Sequence, residues 1–202
     1  LELHHEDVEI LEKLKVCLES DHKISFRSRV IKETGNLRKS CTLSISRKKL
    51  YDDLVRNGIP VTKSTYCTIP FSVPKKFIRD LIRGVFDSDG GWHLVDKNQV
   101  IFSICSSVKS FLEEIQNILI TECDLQKTKI SSNKNNTCHE LRYKGNVQCV
   151  RLFDYLYTNS NLKLMRKYDA IIKHFNSKHI TFSLSPWLSN QTSILTPSSK
   201  FD

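Results

Sequence analysis

The stretch Leu81-Ile82-Arg83-Gly84-Val85-Phe86-Asp87-Ser88-Asp89-Gly90-Gly91 constrains this chain more than any other, because an apolar helical stripe breaks off there into two acids and two glycines. Phe77, Ile78, Leu81, Ile82 and Val85 recur at helical spacing, and Pro74 stands where a first-turn proline is tolerated. Gly84 and Ser88 are four apart, so they share one helical face and would let a second helix approach closely. Gly90 and Gly91 are expected to take positive φ angles that stop the helix and turn the chain into a strand. Asp87 and Asp89 then stand at a helix C-terminus, where the macrodipole already makes the potential negative. Carboxylates placed there need a cation beside them, and a divalent metal ion would serve. Asp-x-Asp-Gly alone is common in turns and calcium loops, but the acids that an EF-hand needs downstream are missing.

The rest of the chain reads as one pattern met twice. Ile10, Leu11, Leu14, Cys17 and Leu18 mark an amphipathic helix over residues 7–19. From Lys23 the period changes to two: Ile24, Phe26 and Val30 alternate with Ser25, Arg27 and Arg29. A turn at Thr34-Gly35-Asn36 leads to a second strand, with Cys41, Leu43 and Ile45 on one face and Arg38, Ser40, Thr42 and Ser44 on the other. A helix over about 47–57 completes the unit. After the acid-glycine stretch come strands near 92–96 and 99–105. Phe111 to Leu119 then echoes Ile10 to Leu18 at a distance of 101 residues, followed again by a hairpin (126–143, turn at Asn133 to Asn136) and a helix (146–157). Such an echo predicts two related α/β halves and not a solenoid, which needs three or more repeats. A last helix is expected over 164–176, and residues 177–202 read as a loosely packed Ser/Thr/Asn/Pro tail.

Thirty-one Lys and Arg against 22 Asp and Glu leave a net charge of +9 over 202 residues, which favours a polyanionic partner. No apolar run approaches the ~18 residues of a membrane helix, and no signal-peptide pattern opens the chain. An intracellular, non-secreted protein without a membrane partner is expected. The seven cysteines are an odd number, scattered, with no Cys-x-x-Cys, which argues against a zinc module or disulfide framework and for a reducing interior. The chain begins at Leu1 and its one methionine is Met165, so it reads as part of a longer product.

Ile82 to Gly90 (IRGVFDSDG) resembles the nine-letter motif of the LAGLIDADG homing endonucleases, and the order of elements from Asp7 to about Phe175 follows that family too. The resemblance implies an α+β fold of two pseudo-symmetric αββαββα halves, motif helices at the central interface and antiparallel sheets forming a DNA-binding saddle. Residues 1–70 would be a first repeat, N-terminally incomplete, and 71–176 a second. The block Leu1 to His5 would be the remnant of the last strand of the first hairpin. The resemblance further implies a sequence-specific double-stranded DNA endonuclease that hydrolyses phosphodiesters with Mg²⁺ at a long target site, serves intron or intein mobility and, when complete, acts as a monomer. In that family the second acid of the motif binds the metal, which falls on Asp89, while Asp87 would support the helix end together with Gly84 and Gly90. A basic residue late in each half helps activate water or neutralise phosphate. Lys63 takes that place in the first half and Lys167, with Lys163 as the fallback, in the second. Arg83 replaces the family's small alanine, which is compatible only with a position facing away from the helix seam. One motif supplies one metal-binding acid where duplex cleavage needs one per strand, so a first motif is expected upstream or from another chain.

Alternate positions on the strands would face the DNA grooves. These are Lys23, Ser25, Arg27, Arg29, Arg38, Ser40 and Thr42 in the first half, and Lys127, Lys129 and Ser131 in the second, with weaker help from His93, Gln99, Ser103 and Arg142. A non-cleaving DNA- or RNA-binding module of the same fold, a regulator or intron maturase, is the alternative. An unrelated basic structural protein with a chance Asp-Ser-Asp-Gly is the third possibility.

Overall fold

The computed structural model of the chain describes residues 1–59, 68–70, 72–95 and 99–178. These residues form an α+β fold with two antiparallel sheets. The first sheet has β1 (Glu2–His4), β2 (Ile24–Val30) and β3 (Leu37–Leu43) in the order β1-β3-β2, with helices α1 (Val8–Cys17) and α2 (Lys48–Arg56) following β1 and β3. Helix α3 (Lys75–Asp89) then leads directly into the second sheet. That sheet has β4 (Gly90–Val95), β5 (Gln99–Ser106), β6 (Ser131–Ser132) and β7 (His139–Lys144) in the order β4-β5-β7-β6. Helices α4 (Lys109–Cys123), α5 (Asn146–Tyr157) and α6 (Met165–Ser177) accompany it.

The echo in the sequence is an echo in topology. Without β4, the second sheet has the strand order of the first, with β5, β7 and β6 in place of β1, β3 and β2. Leu3 pairs with Cys41 in the first ladder and Ile104 with Leu141 in the second, and each pair faces its own core. Leu11 in α1 and Leu112 in α4 are fully buried at matching places. Residues 2–4, in the block expected to be strand, form β1, which lies beside β3 as β5 lies beside β7 in the other sheet.

Local chemistry sets the elements. In α4 the apolar residues Phe111, Leu112, Ile115 and Leu119 fall on one face and are buried, and Asp124 ends the helix in the left-handed region at φ 50°. In β5 the residues Val100, Phe102 and Ile104 are completely buried against the helices, as a period of two requires. Phe86 of α3 stacks on Phe102 at 4.7 Å between ring centroids, and Trp92 closes the same corner 5.1 Å from Phe86. The second unit thus has an extensive core. The first is thin: Leu11, Cys41 and Leu43 are its buried members, α2 buries no residue, and Phe26, Val30 and Leu37 lie exposed on the core-side face of their strands. Arg166 of α6 ties the units together through the buried Asp7 carboxylate at 3.0 Å.

One expectation about α3 needs correcting. Gly90 does not stop the helix with a positive φ; it is extended, with φ −101° and ψ 179°, and Gly91 is not in the left-handed region either. Glycine is needed at position 90 for close approach instead. A Cβ there would drive into the Phe86 ring and lie 2.8 Å from the Phe86 carbonyl oxygen and 2.9 Å from that of Ser103. The chain passes straight from helix into β4 because nothing but hydrogen fits between α3 and β5. Among the described residues no helix is long and apolar enough to cross a membrane.

Candidate active site and nucleic-acid face

The two acids that end α3 have opposite environments. Asp87 is 6% exposed; its Oδ1 accepts from the Tyr157 hydroxyl at 2.8 Å and its Oδ2 from the Leu164 backbone N–H at 3.0 Å. Burial pushes its pKa upward, against the hydrogen bonds from Tyr157 and Leu164 and the charges of Lys167 and Arg83. Both carboxyl oxygens are thus engaged by groups from beyond α3. Asp87 is a tie between α3 and the segment joining α5 to α6. Asp89 is exposed, and its Oδ2 accepts at 3.2 Å from the neighbouring Ser88 hydroxyl.

Asp89 lines a cavity of about 810 Å³ whose walls include Gly84, Val85 and Ser88 of α3, Cys105 and Ser106 of β5, and Thr137 and Cys138 at the foot of β7. Among the described residues no group of three or more His, Cys, Asp or Glu side chains could hold a metal ion unaided. A single open carboxylate is nevertheless a suitable ligand for a hard cation such as Mg²⁺, which keeps waters and takes substrate phosphate oxygens for its other positions. Asp89 fits that part and could supply one protein ligand.

Lys167 reaches the same helix end. Its Nζ donates to the carbonyl oxygens of Phe86 (2.9 Å), Asp87 (2.7 Å) and Gly90 (2.6 Å), closing the end of α3 with a positive charge where the macrodipole is negative. Burial lowers its pKa, opposed by Asp87 and Asp89. Lys163 lies elsewhere, with its Nζ 4.1 Å from the centre of the Tyr168 ring. Lys63 falls outside the described residues.

Arg83 is buried and its guanidinium turns to α5 and the segment after it, although the residue also lines one groove with Gly84 and Ser88. Its guanidinium donates to the carbonyls of Leu162 (2.7 Å) and Leu156 (3.0 Å) and to Asp80. Gly84 and Ser88 are exposed, and a Cβ on Gly84 would meet nothing within 4 Å. A second, smaller groove of about 230 Å³ runs beside them, lined by Leu1, Leu3, Ile10 and Leu14 of the first unit and by Asp87, Leu162 and Leu164.

Register places the expected groove-facing residues of the first sheet together. Ser25 is opposite Thr42, Arg27 opposite Ser40 and Arg29 opposite Arg38, all on the face away from Leu3, Cys41 and Leu43. Lys23 is exposed just before β2. The sequence reading missed that Glu2 and His4 share this face, opposite Thr42 and Ser40. The Ser40 hydroxyl, followed by the charges of Arg38, Arg29 and Arg27, holds the exposed Glu2 carboxyl below the usual range. Ser40 itself is a correction: it lies on the expected face but is only 6% exposed, with its hydroxyl engaged by Glu2.

In the second sheet, Ser131 is opposite Glu140 and shares its outer face with Cys105, while Ser103 lies opposite Arg142. Lys127 and Lys129 are exposed in the run before β6, alternating with Thr128, whose carbonyl accepts from Gln116 at 2.8 Å, and with the buried Ile130. His93 covers Ser103 with a 2.9 Å hydrogen bond, and Arg142 pairs with Glu140 at 2.7 Å. This face is therefore more mixed in charge than the first. Sequence reasoning also missed Tyr157 as a partner of Asp87, since no local pattern links positions 70 apart. No model of a known protein family matches the chain, and no characterised protein matches it closely enough to be called a relative.

Proposed function

We propose that this chain is a LAGLIDADG-type endonuclease that hydrolyses phosphodiesters in double-stranded DNA. The division of roles at the end of α3 carries this reading: Asp87 is buried as a structural tie, and Asp89 is left open to a cavity as a ligand. Support comes from the basic face of the first sheet. Arg29 and Arg38 stand directly opposite each other, and the Glu2 carboxylate on the same face offsets only part of the charge of Arg27, Arg29 and Arg38, leaving a net positive surface for an anion. The shared strand order supports two halves whose outer faces form a saddle on the duplex.

In this mechanism Lys167 and Gly90 hold the helix end rigid, so that the Asp89 carboxylate is presented without reorganisation. Asp89 would hold Mg²⁺ by its carboxylate, and the ion, when bound, would supply Lewis-acid polarisation of a phosphate and a lowered pKa for bound water. Lys63 neutralises phosphate charge from the first half. Arg27, Arg29 and Arg38 read base edges or clamp phosphates, Arg being suited to guanine. A companion helix seated on the exposed Gly84–Ser88 face brings the second carboxylate that a duplex break requires, with Leu1, Leu3, Ile10 and Leu14 as its other wall.

One observation favours a binding module without chemistry. All three Nζ hydrogen bonds of Lys167 go to main-chain carbonyls, leaving none for phosphate. The two readings part in one experiment: the chain is mixed with a randomised supercoiled plasmid library in Mg²⁺, and nicking and binding are scored separately. Nicking that Asp89→Asn abolishes while retention in Ca²⁺ persists supports the endonuclease. Retention without nicking supports the binding module. Affinity for duplex that does not fall steeply with salt refutes both.

A further inference from the structure

The outer face of the first sheet carries a carboxylate, Glu2, among its arginines. Register sets the outward side chains in three rows across the strands: Glu2, Thr42 and Ser25; His4, Ser40 and Arg27; then Arg38 and Arg29. Charge therefore changes along the strands, from an acid at one end to an arginine pair at the other. On the outer face of the second sheet the acid, Glu140, is closed by Arg142 at 2.7 Å. The strand neighbours of Glu2 in its row are the uncharged hydroxyl residues Thr42 and Ser25. Both are short, and Ser25 turns its hydroxyl to the Thr42 carbonyl at 3.4 Å. Glu2 is exposed and is the longest side chain of that row, so its carboxylate is the group there that can reach outward.

An acid on a face built for a polyanion costs affinity, because it repels phosphate whatever the sequence. Against a base edge it has a use. A carboxylate only accepts hydrogen bonds. In the major groove cytosine offers its N4 amino donor, whereas guanine offers the acceptors O6 and N7 and thymine the acceptor O4. Adenine offers the N6 donor beside the N7 acceptor, which repels a second carboxylate oxygen. Cytosine is thus the base that an exposed carboxylate favours. Arg27, one row away, has the opposite chemistry, with a fork of donors suited to guanine O6 and N7. Adjacent rows are two residues apart, about 6.8 Å along a strand, and base pairs follow one another at about 3.4 Å, so neighbouring rows address positions about two base pairs apart.

We propose that Glu2 is a specificity-determining residue of the duplex face, accepting a hydrogen bond from the N4 amino group of a cytosine about two base pairs from a guanine read by Arg27. The inference rests on the duplex-binding reading above, which the endonuclease and the binding module share. Glu2 lowers affinity for unselected duplex and raises discrimination at one position.

The test is selection of bound duplexes from a randomised library by the whole chain in Ca²⁺, followed by sequencing, at one fixed salt concentration. Wild type, Glu2→Ala, Glu2→Gln and Arg27→Ala are compared. The wild type should favour cytosine at one position by about fivefold or more. Glu2→Ala should flatten that position alone and raise affinity for unselected duplex. Glu2→Gln should switch it to adenine, because a carboxamide accepts from N6 and donates to N7, an outcome that misfolding cannot produce. Arg27→Ala should flatten a different position, about two base pairs away. The proposal is overturned if Glu2→Ala leaves every base preference unchanged, or if it raises affinity for all duplexes by one factor and flattens no position. In both of those cases duplex is still retained, so the duplex-binding reading stands. A wild-type chain that retains no duplex even at low salt overturns that reading and the proposal together.

Discussion

The tie between Asp87 and Tyr157 can be tested by Tyr157→Phe, which removes one hydroxyl and leaves the ring. Tyr157 is 2% exposed and its O–H is one of two direct donors to a carboxyl group that is itself nearly sealed from water. A hydrogen bond to a charged group contributes about 1.5–3 kcal/mol, and no water can easily replace it here. With a urea m-value of ~2 kcal/mol/M, usual for a small domain, the midpoint should fall by roughly 1 M. The sign of the pH dependence follows from the same geometry. Burial already raises the Asp87 pKa, and loss of the Tyr157 donor raises it further, so the mutation costs most at pH values where the carboxylate is ionised and shrinks in acid. Urea titrations at several pH values, on Tyr157→Phe, Asp87→Asn and the double variant, measure the effect and its coupling. The two single costs should fail to add by about 1 kcal/mol or more. Additive costs, or a Tyr157→Phe cost that does not change with pH, would show that the hydroxyl does not support the carboxylate and would refute the assignment of Asp87 as a charged tie.

Other outcomes follow from the same structure. Gly90→Ala should destabilise the chain by about 1–3 kcal/mol through overpacking against Phe86 and Ser103, read as a fall in urea midpoint. Gly84→Ala meets open space and should raise helix stability by ~0.5–1 kcal/mol; if a companion helix sits on that seam, the same variant loses nicking although the fold is stronger. Asp154 has its pKa pushed up to about 6 by burial, so its contribution to stability is present below ~4 and lost as pH rises through 6. Discounted for its half-exposure, Asp154→Asn should stabilise the chain by about 1 kcal/mol at pH 7 and by nothing at pH 4 in paired melts. Arg27→Ala and Arg29→Ala should each reduce the slope of log affinity against log salt by ~1 in duplex-binding titrations, or leave that slope intact if they read bases alone.

Most elements were legible because their signals are local. The helical stripe of α3, the alternation of β5 and the Asn133–Asn136 turn depend on neighbours a few residues away. Alternation also sorted the first sheet correctly into an apolar and a basic face, since register preserves parity once one pair is set. Local reasoning went wrong where a position is controlled by what lies across from it. Gly90 was expected to bend the chain, whereas it makes room for Phe86 and Ser103. Ser40 was expected to be open, whereas it lies under Glu2.

The amino-acid order alone settled which acids and glycines end α3, and that the 101-residue echo has a helix, hairpin and helix in each copy. It could do so because periodicity and spacing are properties of a single segment. Which of the two acids is a structural tie and which is open depended on Tyr157, Leu164 and Lys167, which come 70 to 80 residues later in the chain. A carboxylate's role is set by whether donors and solvent reach it, and that is known only when distant segments have packed.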